Sequence, residues 1–259
     1  MPTSTIDIQQ FVVLDHDSLG FPEYYSRSLQ LFKDSVVMPS LAAIGCKIEE
    51  NIHSTNCGAV FFNSHLADLF QATVESYLLT VQSMWERGLR GLLANRERKL
   101  CNAKEIHTLQ KCNWSSGNSS IQYHFERLLG IPITIFDSYD DLNFLQNLGN
   151  AIRHGDGPSA KRVYELAPAL WFGWLSRSTT IQIEPLGIAN LPSTSQYPSF
   201  DHVTLKETVL QQMLMSVSNF WEDLEYLRCN SFSNRHESLI RHLETLSEKR
   251  RSRKRVWSP

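Results

Sequence analysis

The sequence predicts a mainly α-helical protein with one small β-hairpin, and three observations lead there. Apolar residues recur at three- and four-residue spacing over most of the 259 positions, the runs break at Pro, Gly, Asn and Ser, and only one region alternates with the period of a strand. With 42% hydrophobic residues the chain is long enough to bury a substantial core. It has no apolar run of eighteen residues, and its start, MPTSTIDIQQFVVLDHD, lacks the basic and apolar regions of a signal peptide. The expectation is a cytoplasmic protein with no membrane span.

Three regions are expected: an N-terminal arm at 1–20, a single helical domain at 21–247 and a basic C-terminal tail at 248–259. In the arm, Phe11–Leu14 suits a short strand or a docking segment. Pro22 suits a first helical turn, and Tyr25, Leu29, Phe32 and Val36 keep helical spacing until Pro39 interrupts. Residues 46–58 show no period and read as connection. Leu66, Phe70, Val74, Tyr77, Val81 and Met84 mark one stripe of a long core helix over 63–93. Glu75, Gln82, Glu86, Arg87 and Arg90 fall on its other faces, read as solvated, with Glu86 and Arg90 at ion-pair spacing. A short helix over 103–110 follows, then the turn-rich NWSSGNSS, a helix over 121–129 closed by Gly130, and an apolar bridge, Pro132–Phe136.

Past the helix that begins near residue 137, 159–166 reads as a short helix and Pro168–Trp174 as an aromatic plug for the core. TTIQI at 179–183 alternates like a strand, and HVTL at 202–205 is its expected partner across a Pro- and Ser-containing loop. Thr204 to Glu207 is a capping-box sequence, opening a helix that carries Val209, Met213, Val217 and Phe220 toward Cys229. Residues 235–255 read as a last, increasingly basic helix with Asn234 as its N-cap.

Composition narrows the chemistry. Five cysteines at 46, 57, 101, 112 and 229 form no C-x-x-C pair and leave one over in any pairing scheme, so reduced thiols are expected, with no disulfide framework and no zinc site. Two N-glycosylation patterns, at Asn113 and Asn118, carry weight only in a secreted chain. Net charge is −2, yet Lys249, Arg250, Arg251, Arg253, Lys254 and Arg255 concentrate six basic residues in the tail. Such a tail either grips nucleic-acid phosphates or folds back on an acidic body. No Walker loop, G-x-G-x-x-G, H-E-x-x-H or G-x-S-x-G is present, which disfavours nucleotide hydrolysis, dinucleotide redox chemistry, zinc proteolysis and the usual serine hydrolase.

The stretch 137–161, DSYDDLNFLQNLGNAIRHGDGPSAK, stands out. Asp137 or Ser138 suits the N-cap, Asp140 and Asp141 suit the positive end of the dipole, and Gly155, Gly157 and Pro158 end the run. Leu142, Leu145, Gly149 and Ile152 share an apolar face, whereas Asn143, Asn147, Asn150 and His154 share a polar one. A polar stripe on a core helix costs stability unless its groups find partners, so the pattern suggests a site.

Asn147 to Gly157, NLGNAIRHGDG, resembles the signature of the HEPN superfamily, whose motif sets an arginine, a polar residue and a histidine at the end of a core helix. The resemblance covers about 25 residues. It implies a HEPN-like helical bundle, a homodimer along this helix, and a metal-independent, cofactor-free endoribonuclease acting on RNA in bacterial antiviral defence or as a toxin. His154 would be the acid/base, Asn150 would orient it, and Gly149 occupies the arginine position. Arg153, one turn further on, is then expected to clamp phosphate, with Arg87, Arg90 or the tail (Lys249, Arg250, Arg251) as other donors. Asn143, Asn147 and Asp156 are expected to contact substrate. The alternative is a catalytically inactive HEPN-like scaffold that recognises RNA, a nucleotide or a protein partner.

Overall fold

Helical spacing of apolar residues organises the computed structural model, which describes residues 7–53, 58–114, 117–172, 174, 179–183, 187–191 and 197–259. The chain is mainly α. Its helices are α1 (Glu23–Phe32), α2 (Met38–Ile52), α3 (Ala59–Lys99), α4 (Ala103–Lys111), α5 (Ile121–Leu129), α6 (Tyr139–His154), α7 (Pro158–Leu166), α8 (Glu207–Asn230) and α9 (Glu237–Ser252). At 1.5 Å per residue α3 is roughly 60 Å long. Like α8, it carries apolar residues on more than one face, because helices pack against it from several sides. The core lies where α3, α5, α6 and α8 meet, around Trp85, Phe125, Phe136, Phe144, Phe220 and Trp221, each at most 2% exposed. Rings there meet edge-on or tilted, with Phe136 and Phe220 centroids 4.9 Å apart. Truncating any one of these aromatics to alanine would cost about 3–5 kcal/mol.

Several expectations need correction. Pro39 does not end the first helical run. The chain passes from α1 through a π-helical turn, Lys33–Val37, directly into α2, so the helical run continues across Pro39, and the wider turn falls where the proline offers no N–H to the ladder. Residues 46–52, expected as connection, are the end of α2, while 54–57, with Cys57, lie outside the described residues. Gln82, assigned to a solvated face, is fully buried. The capping box at Thr204 does not form: α8 starts at Glu207, and the Thr204 N–H is bonded to Leu170 O at 2.7 Å. Asn234 does not cap α9; His236 does, its Nδ1 accepting from the Ser238 N–H.

The expected hairpin between 179–183 and 202–205 is not formed. His202 closes a 3-10 turn (Phe200–His202), and Val203 and Leu205 are buried where the chain enters α8. The backbone of Thr179–Ile183 instead runs antiparallel to Gly187–Leu191, with Ile181 opposite Ala189. The connecting residues 192–196 lie outside the described residues, as do Ser115 of the first glycosylation pattern and residues 1–6 of the arm. From residue 7 the arm is docked: the Leu14 N–H bonds Leu129 O at 3.0 Å, the Val13 N–H bonds Ser231 Oγ at 2.9 Å, and Arg96 holds the carbonyls of Leu14 and Asp15. Among the described residues no helix is long and apolar enough to cross a membrane.

Candidate functional site

The site expected from the sequence lies on the last two turns of α6. Two acidic residues in its first turn and Arg153 and His154 in its last match the helix dipole. Gly155, at φ +67°, ends the helix with its N–H on Ala151 O at 2.8 Å, a conformation open to glycine and strained for other residues. α6 sits against α3, α7 and α8, and its Leu142–Leu145–Gly149 seam is buried.

Gly149 is required by a close approach. A Cβ there would stand 2.5 Å from Cδ of Gln82, inside the volume its amide fills. Gln82 donates from Nε2 to Gln146 Oε1 at 2.9 Å, and its Oε1 accepts from Arg153 Nη2. Gln146 in turn points Nε2 at Glu86 Oε2, 3.5 Å away, and Glu86 pairs with Arg90 at 2.6 Å. A polar chain thus runs between α3 and α6, from Arg153 at the surface through buried Gln82 and Gln146 to Arg90. Sequence reading missed its two glutamines. The available signal was a glutamine at helical spacing from the apolar Leu78, Trp85 and Leu89 of α3, together with a glycine in α6 that nothing local required.

The other candidates separate into groups. Arg153 is exposed and also donates to Asn150 Oδ1 at 3.1 Å, so Asn150, Arg153 and the exposed His154 come together. Asn143 and Asn147 are half-buried and engaged with structure: Trp114 Nε1 donates to Asn143 Oδ1 at 3.2 Å, and Asn147 Nδ2 donates to Asn143 O at 2.8 Å. Asp156 accepts from the Phe200 N–H at 2.6 Å and from Ser199 Oγ at 3.0 Å, pinning the start of the Phe200–His202 turn beside the helix end. Lys161 lies over the Tyr197 ring, 4.4 Å from its centroid. Arg87 is exposed, with Nε on Ser83 O, whereas Arg90 reaches away from α6 to the carbonyls of Leu109 and Cys112.

The tail folds back rather than reaching out. Arg250 is bonded to Asp223 and Asp137 at 2.5 Å each, Arg253 to Asp223 at 2.8 Å and Lys249 to Glu222 at 3.3 Å. Arg255 meets Asp141 at 2.7 Å, Val256 donates its N–H to Gln212 Oε1, and Trp257 tilts against Phe144. Burial pushes the Asp223 carboxyl up, and Arg253 and Arg250 draw it down. These contacts lie at the opposite end of α6 from His154, on the wall of a charged trough of about 1240 Å³. Of the three tail residues expected at the site, Arg250 is held in this network, Lys249 is exposed beside Glu222, and Arg251 is exposed with its Nε bonded to Ser247 O.

Among the described residues, two groups of potential metal ligands lie elsewhere, Glu97–Glu105–His124 and Glu225–Cys229–His242, each with its atoms within 4.8 Å of one another. In the first, Arg127 bonds Glu97 Oε1 and lies 3.3 Å from His124 Nδ1. Burial holds His124 below the ordinary imidazole value, against the pull of Glu105. Comparison of this chain with protein-family models, with curated proteins and with solved structures gives no match.

Proposed function

We propose that the end of α6 is a HEPN-like RNA-binding site that does not cleave its ligand. The observation that carries this reading is the Gln82 amide beside Gly149. It takes the space in which the superfamily's arginine would stand, and it engages the nearest substitute, Arg153. Without a free guanidinium aimed at a reacting phosphate, the charge that develops in transesterification lacks its main stabiliser, a loss on the order of 10²-fold or more in rate. Binding asks less. Arg153, His154 and Lys161 give a small basic surface, and Tyr197 beside Lys161 gives a ring on which a base can stack. The tail contributes little, because most of its cations are neutralised within the chain. If two protomers meet along α6, they do so through its Asn147–Asn150–His154 edge, since the apolar seam is covered by helices of the same chain.

The ribonuclease reading keeps one favourable observation, the exposed imidazole of His154 next to the Asn150–Arg153 pair. The deciding experiment follows a labelled single-stranded RNA by anisotropy and by gel in EDTA, with the parent protein, Arg153→Ala and His154→Ala. Salt-sensitive binding without cleavage, weakened in both variants, supports the binding module. Cleavage by the parent that both variants lose would replace it with the nuclease, and absence of binding would redirect the site to a nucleotide or a protein partner.

A further inference from the structure

We infer that Glu225, Cys229 and His242, completed by Glu23, form a binding site for a zinc-like divalent transition-metal ion where α1, α8 and α9 meet. Glu225 and Cys229 are four residues apart and project from one face of α8. His242 comes from α9, which packs on α8, and Glu23 from the first turn of α1. Cys229 Sγ lies 3.3 Å from Glu225 Oε1, and His242 Nε2 lies 3.7 Å from that oxygen and 3.8 Å from Glu23 Oε2. Bonds of about 2.0 Å to nitrogen or oxygen and about 2.3 Å to thiolate put the edges of a tetrahedron at roughly 3.3–3.5 Å. These three edges lie within about half an ångström of the spacing a tetrahedral ion requires, and the donor atoms of Glu225, Cys229 and His242 all lie within 4.8 Å of one another.

Ligand type agrees with geometry. One sulfur, one imidazole nitrogen and carboxylate oxygens suit zinc or a similar borderline metal and do not suit calcium or magnesium, which take oxygen shells. Glu225 and Cys229 are buried, while the side chains of His242 and Glu23 are 30% and 21% exposed, which leaves an entry from solvent. Around the ion, Arg228 bonds Glu225 at 2.5 and 3.0 Å, lies 3.5 Å from Cys229 Sγ and rests against the rings of Phe21 and Phe232, while Glu23 keeps its other oxygen on Arg27 at 3.0 Å. In the unloaded chain the Cys229 thiol is pushed up to about 12, first by burial and then by Glu225. Loading replaces the S–H bond by a metal–sulfur bond and releases that proton to solvent. The sequence concealed the site because its ligands are dispersed over three helices with no paired-cysteine spacing.

The test titrates cobalt(II) into the full chain with exposed Cys46 and Cys101 replaced by serine, then adds zinc. One equivalent is expected to bind with a thiolate-to-cobalt charge-transfer band that zinc abolishes and that Cys229→Ser never shows. Because Cys229 is a core residue, His242→Gln at the partly exposed position serves as the second variant, checked for fold by circular dichroism. Its zinc affinity should fall by on the order of 100-fold. A parent protein without the band, an undiminished band in Cys229→Ser, or unchanged zinc affinity in His242→Gln overturns the site.

Discussion

The two ends of α6 carry similar densities of charge and use them in opposite ways. At the N-terminal end Asp141 is 2% exposed, and each carboxylate oxygen is engaged: Gln212 and Ser216 donate to Oδ2 at 2.9 and 2.5 Å, and Arg255 to Oδ1 at 2.7 Å. At the C-terminal end Arg153 and His154 are exposed, and only the guanidinium of Arg153 is tied down, by Gln82 and Asn150. Charge that is buried must be completely paired, so it becomes part of what holds the fold. Charge left at the surface contributes little to stability and stays available for a ligand.

The comparison breaks most visibly at the buried end. Asp141→Ala would leave Gln212 and Ser216 without their acceptor, strip Arg255 of its partner and remove an acidic residue from the first turn. A loss of about 3 kcal/mol is expected, read as a lower urea midpoint, with the tail released as Arg255 and Trp257 lose their anchorage. A change below about 1 kcal/mol would mean that the tail is not a structural part of the domain.

Next in size is Gly149→Ala. The new methyl group must displace a fully buried amide that bonds both Gln146 and Arg153, and overpacking of this kind costs about 1–3 kcal/mol. In a thermodynamic cycle with Gln82→Ala the second substitution should remove most of the clash, so the two effects should be clearly non-additive. Additive losses would show that the glycine is needed for some reason other than Gln82.

These two positions also show how far the sequence could be read. The helical stripes located α3, α5, α6, α7 and α8 because each buries a continuous face, and Gly155 marked the end of α6 because its backbone geometry is local. Pro39 misled because a π-helical turn just before it lets the helical run continue past a residue with no N–H. The partner of TTIQI was misassigned because strand pairing depends on the intervening chain, and HVTL is a connection whose alternation comes from burying Val203 and Leu205 against the core. At the candidate site, the last turn of α6 was legible from residue types alone. Gln82 was not, since only the crossing of α3 and α6 brings a residue 71 positions away onto Arg153.

A smaller effect is expected from His124, which belongs to neither end and gives a reference for a titratable group that burial keeps neutral. Burial lowers its pKa from the ordinary value near 6.5, against the pull of Glu105. As pH falls below that value the unfolded chain takes up the proton first. Stability is therefore present above about pH 6.5 and declines as pH drops toward the folded-state value. His124→Gln keeps an acceptor for Arg127 without a titrating group, so its unfolding free energy should be flatter than the parent's in that window. Parallel pH profiles would contradict a buried, neutral imidazole.

The smallest effect belongs to the exposed end, and its smallness is informative. His154→Ala removes a surface side chain and should change stability by no more than about 0.5 kcal/mol. Arg153→Ala frees Gln82 Oε1, and with that amide buried a cost of about 1 kcal/mol is expected. If both variants stay within these limits but lose RNA affinity, the end of α6 is a surface kept for a ligand. If instead His154→Ala lowers the midpoint as much as Asp141→Ala does, the contrast between the ends fails, and the histidine must be read as part of the helix's own closure.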